Sequence, residues 1–595
     1  MGLDATLRKR PSGTRSLPRR ARPREHLMTM RRQQSLERRR AAAEIAAARP
    51  HPVHRANGDE HRHRDENGKP TYIGNFTKCL RHDDDGFLRD PTDYSEWVRS
   101  IDSADPRDIS DQTIGGPPWK VPQNNANNIP VRGWESQGAG STFDLEGPDA
   151  QSVTMPPAPA LDSEELVAEM AELYWMALCR DIPFALWSGN ATIGKAIGSL
   201  RNLDWFRANQ AVTGSTDALP SSQVRRRILR GPGDPFTLPE LFRGVTPGER
   251  IGPYLSQFLL AGNRGVNRSD LAHAHADGYV AYGALRIDQR VRQAPSGVDY
   301  MTTFDEWLDV QNGADLRGGE NPYVGYRFMA TPRDLATYVH YDALYEAYLN
   351  ACLLLLSLGA PFDPGLPFLR SDAIDKQSGF AQFGGPHILS LVTEVATRAL
   401  KAVRYQKYNV HRRCRPEAVG GRLHQLATSA NPAVTGRLAV LRPMLDRLSS
   451  GPVNLDAELG GSWLLPMAFP EGSPTHPSYG AGHATVAAAC TTILKAWFDH
   501  GWTLPFAFVP ATDGSSLNDV SGATPPLTIE GELNKVAANI AIGRNWAGVH
   551  YYSDYIESLR MGEQIALGIL EEQKVCYGET WSLDVPLMDG TMARI

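Results

Sequence analysis

Three segments hold cationic, imidazole and glycine residues at spacings suited to anion chemistry. The first, 401–421 (KAVRYQKYNVHRRCRPEAVGG), sets Lys407 and Arg415 eight residues apart, with Pro416 closing the run. An ammonium and a guanidinium fork can converge on one anion. Alone, this segment reads rather as a solvated basic face. The second, 476–483 (HPSYGAGH), contains Gly480 and Gly482, which allow close backbone approach to a ligand. A helix starting near His483 aims its free N–H groups back at this turn, which makes a preformed anion site. Ser478 and Thr485 are candidates to cap that helix. His483 stands where it can transfer protons near neutral pH. The third, 543–554 (GRNWAGVHYYSD), puts Arg544 at the end of one helix and His550 six residues on, before the next helix. A histidine fixed between packed helices can serve as a ligand, with Asp554 accepting its second N–H and setting the tautomer.

Together the segments supply three cations, a helix N-terminus and two histidines. That set suits a highly charged tetrahedral oxyanion. A divalent cation would want carboxylates instead. A Ser-His-Asp hydrolase is poorly supported, because these segments hold no G-x-S-x-G elbow.

Helices must position these residues. The clearest start is at Ser163, a cap followed by acidic Glu164 and Glu165, with Leu166, Met170, Leu173 and Tyr174 on one face. Further helical patterns run near 255–260, 335–358, 388–408, 484–500, 532–544 and 555–575. Residues 72–159 are rich in Pro, Gly and Asn and read as loops and short strands wrapped over something larger. No strand–helix alternation or short internal repeat is present. The predicted class is mainly α: helical bundles, two four-helix bundles in number, with long loops and few short strands.

The chain has 595 residues, 41% of them apolar, enough for a large core, and a formal net charge of -5. Nothing global points to nucleic acid or an anionic membrane as a partner. The longest apolar stretch, around 349–360, is too short to span a bilayer, so a soluble chain is expected, with no clear signal peptide and no readable localisation. The six cysteines form no CxxC pair, which argues against a zinc ribbon and leaves long-range disulfides open. Residues 1–66 are arginine-crowded and poor in apolar residues, and read as a basic disordered tail. His51, His54, His61 and His63 in it read as part of a solvated linker. Residues 67–330 are expected to be a mostly helical region with wrapping loops, and 331–595 a helical-bundle region carrying the anion site.

The three segments resemble those of the vanadium-dependent bromoperoxidases, the algal and cyanobacterial branch of the vanadium haloperoxidases. That superfamily also includes the type 2 phosphatidic acid phosphatases and bacterial acid phosphatases. Its pattern K-x7-RP, P-S-x3-G-H and R-x5-H is met at 407–416, 477–483 and 544–550. The resemblance implies vanadate as cofactor, and hydrogen peroxide, halide and an organic acceptor as reactants. His550 would ligate vanadium, while Lys407, Arg415, Arg544 and the backbone N–H of Gly482 would hold its oxygens. His483 would be the acid/base and Lys407 would polarise bound peroxide. Arg404 and His476 match positions flanking the halide approach, and the histidine favours bromide over chloride. Where the family usually has serine this chain has Ala481, which implies one donor fewer to vanadate.

The resemblance also implies a homo-oligomer, from dimer to dodecamer, and gives meaning to 368–377 (FLRSDAIDKQ). Asp372 and Asp375 read by themselves as a capping pair. In the family's frame they join backbone carbonyls of Phe368, Arg370 and Gln377 in a possible calcium site. The rival within the superfamily is an acid phosphatase working through a phosphohistidine at His550.

Overall fold

Arginine, alanine and glutamate are strong helix formers, and the first element is built from them. α1 (Pro23–Ala48) occupies much of the stretch whose composition predicts disorder, and that expectation is corrected from residue 23 onward. Its alanine-rich end packs on the last long helix of the chain. Arg49 then donates to the Glu572 carboxylate at 2.7 Å and to the Gly568 carbonyl at 2.9 Å. Nor is the histidine stretch simply solvated: His54 hydrogen-bonds Thr154 and the Gln151 carbonyl at 3.0 and 3.1 Å. The computed structural model describes residues 23–116, 119–120, 130–207, 236–263, 275–369, 376–451 and 454–595.

The fold is mainly α, as its periodicity requires. α2 (Glu164–Cys179) starts at Ser163, whose hydroxyl accepts from the Leu166 N–H. The pattern over 335–358 divides into α3 (Pro332–Tyr341) and α4 (Glu346–Leu358), broken at Asp342, whose backbone is extended. α5 (Gly385–Tyr405) continues into a π-helical turn, Gln406–His411, and α6 (Pro416–Thr428) follows. α7 (Gly482–Trp497), α8 (Ile529–Trp546) and α9 (Tyr552–Cys576) complete the frame. The stretch near 255–260 makes only a 3-10 turn, Gln257–Leu259, and the helix Pro91–Asp102 lies where loops were expected. The latter carried a readable signal, an Asp90 cap followed by proline at the first helical position.

α7 lies at the centre of a bundle with α5, α8 and α9, and α3 packs on α8. Every residue of α7 from Ala484 to Trp497 is buried, so the helix is enclosed on all sides rather than facing solvent along one stripe. Its contact with α9 depends on Gly562: a Cβ there would stand 2.1 Å from the Thr485 carbonyl oxygen. The apolar core crosses residue 330 without a break, uniting Trp175 and Trp307 with Trp463 and Trp546.

Strand structure among the described residues is confined to two-stranded antiparallel ladders. Tyr279–Tyr282 pairs with Leu285–Asp288, Tyr279 opposite Asp288, and Phe508–Pro510 pairs with Leu517–Asp519. The six cysteines are free thiols, five of them buried. Among the described residues no helix is long and apolar enough to cross a membrane.

Candidate oxyanion site

Lys407 stands in the π-helical turn after α5, where the chain's path swings its side chain inward. It is 1% exposed, and its ammonium donates to the carbonyls of Pro477 and Ser478 at 2.9 and 3.1 Å. Arg415 is the residue before the proline that opens α6. Its guanidinium is used on every side: Nε donates to the His476 carbonyl at 3.0 Å, and Nη1 to the Val549 carbonyl at 2.8 Å. Nη1 also lies 3.0 Å from His550 Nε2, and Nη2 lies 2.8 Å from His476 Nδ1. Arg544 ends α8 and reaches the Val339 carbonyl at 2.8 Å, while its Nε is buried with no hydrogen-bond partner among the described residues.

His550 sits in the tight turn between α8 and α9. Its Nδ1 is 2.8 Å from Asp554 Oδ2, so Nδ1 carries the proton and Nε2 presents its lone pair. Burial and the neighbouring Arg415 hold the imidazole well below its usual pKa, which keeps it neutral and able to ligate. Asp554 is itself fixed. Arg413 donates to it at 2.8 Å, the Tyr551 N–H at 3.2 Å, and the Ser478 hydroxyl donates to its Oδ2. Burial opposes ionisation of Asp554, but the Arg413 guanidinium and the hydrogen bonds from His550 and Ser478 outweigh it. Arg413 is held in turn by Glu169 of α2 at 2.7 Å.

The α7 N-terminus faces the same space. Ala481 is its N-cap, with no side-chain cap, so the first turn's N–H groups are not claimed by the expected cap. Neither capping candidate caps the helix: Ser478 bonds Asp554, and the Thr485 hydroxyl donates to the Ala481 carbonyl at 2.9 Å. The Ala481 N–H points away, to the Ser558 hydroxyl at 2.7 Å. Gly482 lines the cavity, and a Cβ there would meet only Leu400 at 3.7 Å, so its lack of a side chain leaves room for a ligand. His483 is 3.0 Å from Asp342, the residue that breaks α3 from α4.

A cavity of about 400 Å³ opens onto Gly482, His483, Arg544 and His550. Arg404 and His476 line it, and both face Glu135: Arg404 pairs with that carboxylate, and His476 Nε2 lies 3.6 Å from it. Burial, then Lys407, Arg404 and Arg415, depress the His476 pKa well below its ordinary value. Burial with the same crowd of cations depresses Lys407, and burial brings Arg415 down to about 10. Lys407, Arg415 and Arg544 are gathered here in buried positions, and Arg544 Nε has no hydrogen-bond partner among the described residues. These residues fit a bound tetrahedral oxyanion.

The structure thus brings Lys407, Arg415, Ala481, Gly482, His483, Arg544 and His550 to one place, with Arg404, His476 and Asp554 around them. Sequence reasoning missed Asp342, Glu135, Glu169, Arg413 and Ser558; the first three are brought in from distant segments, and Ser558 lies one helical turn beyond Asp554. For Arg413 a signal existed, since it sits between Lys407 and Arg415 in the first motif. Of the candidate calcium ligands, Arg370, Asp372 and Asp375 lie outside the described residues. Phe368 and Gln377 flank them, and Phe368 and Lys376 both have left-handed backbone, φ 64° and 58°.

Fold and site define a helical-bundle protein in which a fixed imidazole, three cations and a helix N-terminus are gathered as an oxyanion would require. The family described as the VCPO second helical-bundle domain matches residues 454–577. Vanadium-dependent bromoperoxidase of Corallina pilulifera is 49% identical, covering 94% of this chain and 98% of that protein. The enzyme of that name from Ascophyllum nodosum is 33% identical, covering 89% and 87%. The solved homohexameric second vanadate-dependent bromoperoxidase of Ascophyllum nodosum superposes with a TM-score of 0.76 at 27% identity, covering 99% of this chain and 94% of its own. The chain belongs to the vanadium-dependent bromoperoxidase family.

Proposed function

We propose that this chain is a vanadium-dependent haloperoxidase that oxidises bromide, and iodide, with hydrogen peroxide. The balanced step is peroxide plus halide plus one proton giving hypohalous acid and water. The hypohalous acid then halogenates organic acceptors. The observation that carries the site assignment is His550, neutral, with Nδ1 committed to Asp554 and Nε2 turned toward Arg415 beside the cavity. Vanadate, when bound, supplies a Lewis acid that activates peroxide without a change of metal oxidation state.

The protein's own residues do the rest. His550 Nε2 would be the metal ligand, and Lys407, Arg415, Arg544 and the Gly482 N–H would hold the oxygens. Lys407, desolvated and crowded by cations, would gain a counter-charge from the oxyanion and would be placed to polarise peroxide held there. His483, on the cavity side and hydrogen-bonded to Asp342, moves the proton that peroxide loses on entry and that product needs on leaving. Arg404 and His476 line the path along which halide approaches. Two further expectations go with this reading. One is homo-oligomeric assembly, as in the homohexameric relative; the other is calcium at 368–377, where sharply turned backbone flanks the two aspartates.

Phenol red bromination by vanadate-loaded protein, run beside p-nitrophenyl phosphate cleavage, tests the reading. Bromination that requires both vanadate and peroxide is expected. Ester cleavage without bromination would instead assign the chain to the phosphatase branch of the superfamily.

A further inference from the structure

His340 and Glu471 line a part of the cavity that the reaction above does not use, and Glu320 stands next to them. Glu320, His340 and Glu471 each place one potential ligand atom within 4.8 Å of the other two. They come from three separate stretches: a loop before α3, the last turn of α3, and the loop that leads to the 476–483 motif. His340 Nε2 is 2.8 Å from Glu471 Oε1, and its ring stacks on Phe469 with centroids 3.7 Å apart, so its orientation is fixed. Glu320 Oε1 accepts from the Tyr341 hydroxyl at 3.0 Å. Glu471 is only 7% exposed, yet its Oε2 is buried with no hydrogen-bond partner among the described residues, and His340 Nδ1 is likewise unpartnered.

A buried carboxylate oxygen with no donor is uncommon in a folded protein and calls for an explanation such as an ion. Arg132 and Arg317 line the same cavity. Arg317 is turned onto Asp315 at 2.5 and 2.8 Å, and Arg132 leaves Glu471 Oε2 unbonded. We propose that Glu320, His340 and Glu471 form a binding site for a divalent transition cation of the zinc type beside the oxyanion cavity, whose lining His340 and Glu471 share. One imidazole and two carboxylates make a mixed nitrogen and oxygen set, which favours zinc, cobalt or manganese over calcium. Three protein ligands leave a position for water. The ion takes the place of the His340–Glu471 hydrogen bond and ties the Glu320 loop to the loop that carries His476.

The test is titration of the full-length, vanadate-loaded protein, freed of divalent metal with a chelator, with zinc by calorimetry and with cobalt by visible absorption. One ion per chain is expected from this site. Glu320→Gln should weaken it at least tenfold and alter the cobalt spectrum, Glu320→Gln/Glu471→Gln should lose it, and vanadate affinity in Glu320→Gln should be unchanged. Glu320 is partly exposed, so its variant keeps the test decisive if the double variant fails to fold. Absence of zinc binding by the unsubstituted protein, or the same affinity and spectrum in Glu320→Gln, would overturn the proposal. Binding that survives both substitutions would put the ion elsewhere in the chain.

Discussion

At the scale of single residues, the site is a set of constrained orientations more than a set of residue types. His550 is useful because Asp554 accepts a hydrogen bond from its Nδ1–H, and Asp554 can do so because Arg413 and Ser478 hold it. Asp554→Asn should therefore weaken vanadate binding about 10- to 100-fold, the usual range for loss of the partner that orients a metal ligand. Vanadate titration measures this, and unchanged affinity would show that the carboxylate does not orient the ring. Ala481 makes the opposite case. As the N-cap of α7, it leaves the helix end without a capping hydroxyl and would leave one side of a bound oxyanion without a donor. Ala481→Ser should tighten vanadate by roughly tenfold or more, since a hydrogen bond to a charged group is worth about 1.5–3 kcal/mol. A serine that only caps α7 would raise stability by about 1 kcal/mol with no change in affinity, so calorimetry separates the two roles. The motif residues were legible in sequence because each motif is local. Glu169, Asp342 and Ser558 were not, since nothing in their own neighbourhoods marks them and only packing of α2, α3 and α9 brings them in.

At the scale of elements, the helices were read from periodicity, and the errors have identifiable causes. The 335–358 pattern concealed a break because Asp342 leaves the helix to meet His483 while the apolar period resumes in α4. The α1 stretch was misread because low apolar content was taken as absence of structure. Its alanines need only a neighbour to pack on, and α9 supplies one. Close helix approach is the device that holds the anion site at the head of α7. At Gly562, an added methyl would stand 2.1 Å from the Thr485 carbonyl and 3.0 Å from Ala488 Cβ. The listener to that clash is backbone, which cannot yield as a flexible side chain would. Gly562→Ala should destabilise the protein by about 1–3 kcal/mol or more, as overpacked cores do. It should also weaken vanadate binding, because the first turn of α7 moves with the contact. Urea unfolding and vanadate titration report the two effects, and a variant as stable as the parent would show that α7 and α9 do not set this spacing.

At the scale of the whole molecule, the folded state gathers Lys407, Arg415 and Arg544 in a buried place, where burial lowers the pKa of all three. Such a site opposes folding unless something negative shares it, and the nearby carboxylates are largely committed to Arg413, Arg404 and His483. An oxyanion that binds only the folded protein relieves this repulsion and shifts the folding equilibrium by mass action. At a free vanadate concentration about 100 times its Kd, the gain is about 2.7 kcal/mol. The protein should therefore resist urea more strongly with vanadate than without, and phosphate, a tetrahedral oxyanion that fits the same donors, should give a gain of its own at higher concentration. When both are present phosphate should diminish the vanadate effect by competition, which a contribution from general ionic strength would not do. His550→Ala removes the ligand nitrogen but keeps the three cations, so it should retain the phosphate response while losing most of the vanadate response. Equal vanadate stabilisation in His550→Ala and the parent would show that the cations alone hold the ion and that His550 is not its ligand.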